Sequence, residues 1–251
     1  MSRMQKKIIL IISGHDPTGG AGITADIETA NFYNLHPVSI LTCSTIQNTQ
    51  GVLKINKMPD NYIYKSFLEI IKEFKIDVIK IGLMPTIKSS KEVMRIINHK
   101  KIIDVPIIID PIIKSGRGNI LTSNDNLQFL IKSVYPRADL ITPNNYEYGI
   151  IKKNITNYKN IIITDHKISN RLITLKLKED SLIKERKFTV PRINKNFHGT
   201  GCTFSTAIAC NIINQHKIED CVKIALSYMQ KTISSSKISG IKQSFLNRSL
   251  K

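Results

Sequence analysis

The sequence predicts an α/β fold: a three-layer α/β/α sandwich around a mostly parallel central sheet, with a small antiparallel hairpin at one edge. Three observations lead there. Short β-branched runs alternate with longer amphipathic stretches, the order expected of strands and crossover helices. The runs are continuously apolar instead of alternating, as strands covered on both faces are. The composition is that of an ordinary globular chain, with 41% hydrophobic and 22% charged residues in 251. No repeat, low-complexity linker or composition break divides it, so a single domain over 1–251 is expected.

In chain order, the strands are expected at 8–12, 37–42, 77–81, 107–110, 139–142 and 161–164, with helical patterns between most of them. A polar-interrupted pair, 171–178 and 183–190, reads as the edge hairpin, and two helices, about 202–214 and 219–235, close the chain. Lys6 and Lys7 precede only a short apolar run that meets glycine, so no secretory signal is expected. No apolar stretch approaches the roughly 20 residues of a membrane span. The four cysteines, Cys43, Cys202, Cys210 and Cys221, have neither zinc-site nor disulfide spacing, which favours a cytoplasmic protein.

The net charge of +18 and pI of 9.8 raise nucleic-acid binding, but the lysines are scattered and no Trp is present to stack on bases. Ile, Lys and Asn share A/T-rich codons, so biased composition accounts for the basicity. Neither nucleic acid nor membrane is expected as a partner.

Ligands of open parallel sheets bind at the carboxyl ends of strands. After the first strand comes Ser13-Gly14-His15-Asp16-Pro17-Thr18-Gly19-Gly20-Ala21-Gly22, in which four glycines within nine residues exceed the need of one turn. In the helix that follows, Ile23, Ile27 and Ala30 mark the buried stripe, and Asp26 lies on or beside it. A buried carboxylate needs a donor, either a ligand or a protein group such as a Lys.

The most specific local signal is Asn196-Phe197-His198-Gly199-Thr200-Gly201-Cys202-Thr203-Phe204-Ser205. Two glycines opening a small-residue helix make a nest of amides at its positive end, an anion cradle different from the absent Walker motif. A thiol there is expected to have its pKa lowered, making Cys202 a candidate general base. Asp110 follows one strand. Asn144 and Glu147 open a helix after another, either as a sparse Mg²⁺ set or as a capping box. Lys114-Ser115-Gly116 reads as a loop over phosphates or as solvated surface.

These segments occur together with Thr45-Ile46-Gln47-Asn48-Thr49-Gln50-Gly51-Val52, Lys80-Ile81-Gly82-Leu83-Met84, Asp110-Pro111 and Thr142-Pro143-Asn144-Asn145-Tyr146-Glu147. In this order, across nearly the whole chain, they resemble the hydroxymethylpyrimidine/phosphomethylpyrimidine kinases of thiamine biosynthesis, of the ribokinase-like superfamily. The resemblance implies a homodimer that phosphorylates 4-amino-5-hydroxymethyl-2-methylpyrimidine and then its monophosphate, with ATP and Mg²⁺. It implies pyrimidine contacts from Gln47, Asp26, Gly14 and Leu83, and catalytic roles for Cys202, Gly199, Thr200 and Gly201. Nucleotide contacts fall to Asp110, Lys114, Asn144, Glu147, Thr164 and Lys237, with Glu147 and Asp110 toward the metal.

The chain departs from that pattern in three places. Thr164-Asp165-His166-Lys167 stands where Lys-Gly-Gly-His is usual, Leu83 where Met is common, and the C-terminal glycine-rich segment is thinned to Lys237-Ile238-Ser239-Gly240. Two other functions fit the residues: a pyridoxal or pyridoxine kinase on the same scaffold, and a non-catalytic basic protein that holds RNA or another protein.

Overall fold

Residues 8–12, Ile-Ile-Leu-Ile-Ile, have no polar side to show water, and they lie in the middle of the sheet. Ile8, Leu10 and Ile12 face one apolar cluster while Ile9 and Ile11 face the other, so one strand supplies both halves of the core. The computed structural model describes residues 6–169, 172–179, 184–214 and 216–250.

The elements run β1 (Ile8–His15), α1 (Gly22–Phe32), β2 (His36–Asn48), β3 (Gly51–Lys57), α2 (Tyr62–Glu73), β4 (Val78–Ile81), α3 (Ile87–Ile97), β5 (Ile107–Ile109) and α4 (Asn124–Phe129). They continue with β6 (Leu140–Ile141), α5 (Asn145–Ile151), β7 (Ile161–Ile168), β8 (Leu172–Glu179), β9 (Lys184–Pro191), β10 (Phe197–His198), α6 (Thr200–Ile212), α7 (Ile218–Ser234) and β11 (Ser244–Phe245).

The nine-stranded sheet has the order β3-β2-β1-β4-β5-β6-β7-β8-β9. The strands β2, β1, β4, β5, β6 and β7 are mutually parallel. Helices α2, α3 and α5 cover one face, through Phe67, Val93 and Ile151. Helices α1, α6 and α7 cover the other, through Ala30, Ile208 and Ala225. The expected three-layer α/β architecture is thus present.

Several boundaries move for identifiable reasons. Asp77 and Asp139 lie just before their strands and brace the neighbouring ones: Asp77 accepts the Ile8 amide at 2.7 Å and Asp139 the Ile107 amide at 2.8 Å. The hairpin is present as β8 and β9, paired from Leu172 with Pro191 to Glu179 with Lys184; the expected ends Arg171 and Ile183 lie outside the described residues.

The sheet has further pairing beyond the expected edge hairpin. A second antiparallel pair, β2 with β3, closes the opposite edge, and the short β10–β11 pair forms a separate two-stranded sheet. The β3 sequence Gly-Val-Leu-Lys-Ile-Asn-Lys leaves Leu53 and Lys54 exposed, so it lacks the continuous apolar run of the central strands. Chain order switches direction across β1: α1 leads to β2 on one side, and β4 lies on the other. A crevice at the carboxyl end of β1 follows from that reversal.

Candidate active site

A cavity of 510 Å³ opens at that end of the sheet. The turn after β1, the end of β2, the residues following β4, β5 and β6, the middle of β7 and the first turn of α6 all reach it. A second cavity of 550 Å³ lies between α2, α3 and the end of β3, but its buried carboxylate, Glu92, is already bonded to the Asn61 and Tyr64 amides. Unpartnered polar atoms occur only around the first among the described cavities: Ser13 Oγ, Asp110 Oδ2 and Thr142 Oγ1 are buried without a hydrogen bond and belong to its walls.

The anion cradle is built from α6. Its N-cap, Gly199, has φ +75°, and no side chain caps the first turn. A Cβ at Gly199 would fall 1.9 Å from the Gly20 carbonyl oxygen, so only glycine lets the two glycine segments touch. Residues 202–211 are buried without interruption, which small side chains such as Ser205, Ala207 and Ala209 allow. The helix therefore drives its amino end from the core to the cavity wall, where Gly199, Thr200, Gly201 and Cys202 line the opening.

Cys202 is buried, and this corrects the expectation of a lowered pKa. Burial pushes its thiol up to about 12; Lys80 opposes this, while the carboxyls of Asp110 and Asp26 add to it. A helix N-terminus lowers a thiol's pKa when the thiolate is solvated or paired. Here two acidic neighbours and a dry setting outweigh it, so the resting group is the thiol.

Asp26 is fully buried, but it does not line the cavity. Lys80 Nζ lies 2.8 Å and 2.9 Å from its two oxygens, and Thr206 Oγ1 donates to Oδ1 at 2.7 Å. The pyrimidine contact expected of Asp26 is corrected accordingly: its donor is a lysine of β4, the protein alternative left open by the sequence. Lys80 is itself fully buried, and its ammonium is held well above the usual range by Asp26, Cys202 and Asp110 against the cost of burial.

In the glycine-rich turn before α1, Asp16 is a carboxylate that does line the cavity. Its oxygens accept from the Thr18 amide at 2.9 Å, the Thr18 hydroxyl at 2.8 Å and the Ala21 amide at 2.9 Å, and His198 Nε2 lies 2.7 Å away. Burial raises its pKa, but hydrogen bonds from His198, Gln47 and Thr18 outweigh that and hold it well below the carboxylate range. An acidic residue inside the densest glycine run was the available signal. Gln47, Gly14 and Leu83 stand on the same wall.

Across the cavity, burial, opposed by Lys80 and helped by Asp26, pushes the Asp110 carboxyl up to about 6. Burial and the nearby Asp110 charge push Glu147 up to about 8. Glu147 also completes a capping box on α5: it accepts the Asn144 amide at 2.9 Å while Asn144 accepts the Glu147 amide at 2.9 Å. The capping alternative is therefore present, and both residues still line the cavity.

Lys114 and Thr164 reach the cavity as well, Lys114 with its ammonium 4.0 Å from the centre of the Tyr146 ring. Lys237 does not: it is exposed and away from the cavity walls, and the later residue Gln243 takes that side instead. Tyr146, His198 and Gln243 are wall residues that sequence reasoning did not single out as site residues.

Comparison with known proteins gives a consistent result. The chain is 29% identical over 245 residues to the hydroxymethylpyrimidine/phosphomethylpyrimidine kinase of Aquifex aeolicus, covering 92% of this chain and 95% of that protein. It is 29% identical over 241 residues to the bifunctional thiamine biosynthesis protein ThiDN of Methanocaldococcus jannaschii, covering 92% of this chain and 54% of that one. The chain thus spans about half the length of that bifunctional relative. The fold matches a Bacillus subtilis pyridoxal kinase solved with ADP, with a TM-score of 0.84 at 20% identity over 98% of both chains. Residues 16–245 match the phosphomethylpyrimidine kinase family, and with its uncapped helix end facing a pocket walled by the motif residues, the chain belongs to that kinase family.

Proposed function

We propose that the chain transfers a phosphoryl group from ATP to the hydroxymethyl group of 4-amino-5-hydroxymethyl-2-methylpyrimidine, and then to the monophosphate so formed. One observation carries the reading: the uncapped first turn of α6, residues 199–202, shares a single cavity with Gln47, Gly14, Leu83, Asp110 and Glu147. In this reading Gln47, Gly14 and Leu83 hold the ring, and the amides hold the transferring phosphoryl group.

Asp110 and Glu147 suit Mg²⁺. The Asp110 charge lies close enough to raise the pKa of Glu147, and Asp110 Oδ2 has no protein partner. Among the described residues, no cluster of three or more His, Cys, Asp or Glu could hold a metal unaided, which matches an ion bound through few carboxylates, water and phosphate. When bound, Mg²⁺ neutralises phosphate charge. Lys114 and Thr164 line the same cavity, and this reading gives them the nucleotide phosphates.

Cys202, protonated at rest, lies beside the Asp110 carboxyl in the same cavity wall. To the same reading belong a cytoplasmic homodimer and a small pyrimidine as the partner. No helix among the described residues is long and apolar enough to cross a membrane.

Mass detection of products from purified protein, Mg²⁺-ATP and either the hydroxymethylpyrimidine or pyridoxal tests the proposal. Mono- and diphosphates of the pyrimidine, with pyridoxal a poorer substrate, are expected. Pyridoxal phosphate as the main product would shift the assignment to the second kinase. Salt-sensitive RNA retention without ATP turnover would remove both.

A further inference from the structure

Arg248 is almost completely buried, at 3% exposure, near the end of the C-terminal tail. Its guanidinium reaches two separate parts of the site. Nε donates to Thr203 Oγ1 at 2.8 Å, and that hydroxyl donates onward to the Gly199 carbonyl at 2.9 Å. Nη1 donates to the Gly19 carbonyl at 3.3 Å, and Nη2 donates to the Gly20 carbonyl. One planar cation thus joins the glycine turn after β1 to the N-cap of α6. Its carboxylate partner, Glu28 at 3.1 Å, is 42% exposed and lies outside the cavity.

The tail is fastened on both sides of this contact. β11 pairs with β10, the two residues before Gly199, and the Ser244 amide donates to the Asn196 carbonyl at 2.8 Å. Further on, the Tyr228 hydroxyl donates to the Arg248 carbonyl at 3.2 Å. The site tolerates little: a Cβ at Gly199 would lie 2.9 Å from Nη2, and one at Gly20 would lie 2.2 Å from the His198 ring. A fork with five donors can serve three acceptors on a loop and a helix at once, whereas an ammonium offers a point charge without that geometry. Arg248 does not line the cavity.

We propose that Arg248 is a positioning residue: from the C-terminal tail it locks the 18–22 turn onto the first turn of α6, keeping the amides of residues 199–202 aimed into the cavity. Its effect on turnover rests on the kinase reading. Its effect on the local backbone does not.

Arg248→Ala and Arg248→Lys test this by hydrogen exchange and steady-state kinetics, both at a temperature where the variants are folded. In Arg248→Ala, amides in segments 16–22 and 197–204 should exchange at least about tenfold faster, while β4, β5 and β6 keep wild-type protection. Turnover should fall roughly 100-fold, because displacement of a positioning contact by about 1 Å costs that much, with little change in KM for the pyrimidine. Added methylguanidinium should restore part of both signals, and Arg248→Lys should lie between wild type and Ala. Unchanged exchange in the two segments of both variants overturns the proposal, as does a uniform rise across the sheet or the absence of rescue. If the wild type itself turns over no ATP, the kinase reading fails, and the exchange pattern still decides the clamp.

Discussion

Two aspartates ten positions apart show what a residue's surroundings decide. Asp26 sits on the apolar stripe of α1, so its burial was legible from spacing, whereas its partner Lys80 lies 54 residues away on a strand and was not. Asp16 lies in a loop without periodicity, and only the fold brings His198 to within 2.7 Å of it. Because folding holds the Asp16 carboxyl below the ordinary range, the unfolded chain binds its proton more tightly. The stabilisation is complete above the unfolded carboxylate range, near pH 4, and is lost as pH falls below it. Asp16→Asn should therefore cost about 1–3 kcal/mol at pH 7, and its deficit against wild type should shrink on acidification below about pH 4. Urea midpoints over a pH series measure this, and a deficit independent of pH would contradict it. Cys202 carries the opposite lesson: the sequence showed a helix N-terminus but not the two carboxyls that surround the thiol.

Among the elements, β1, β5, β6 and the start of β7 were legible because burial on both faces leaves an unmixed apolar run, while β2 and β4 keep mostly apolar runs around Ser39 and Lys80. β3 was hidden by its exposed side, and β10 and β11 by their length of two residues each. The closing helices were located to within about two residues. What sequence pattern does not encode is how elements are tied together. Lys80 of β4 and Asp26 of α1 form a wholly buried ion pair that fastens the helix to the strand behind the cradle. Removing one partner leaves an uncompensated charge, so Lys80→Met should lose about 3–5 kcal/mol, while Lys80→Met combined with Asp26→Leu should regain most of it. Equilibrium urea unfolding of the three proteins checks the pattern. A double variant no more stable than the single one would show that the pair is not the element that matters.

At the scale of the whole molecule, the net charge of +18 did not point to function; the chemistry lies in a crevice set by chain reversal at β1. Most motifs recognisable in sequence converge there because they lie at or just after strands at the same end of one sheet, and the first turn of α6 reaches the same opening. Lys237 is the exception in the tail: the thinned segment turns so that Gln243 faces the cavity and Arg248 reaches beneath it. The central claim is that the free amides of residues 199–202 receive the phosphates of the nucleotide. Amide chemical-shift titration of ¹⁵N-labelled protein with a non-hydrolysable ATP analogue and Mg²⁺ measures it directly. Saturable shifts of the Gly199, Thr200, Gly201 and Cys202 amides are predicted, together with Thr164 and Lys114. Saturable binding that leaves those four amides unmoved would contradict it.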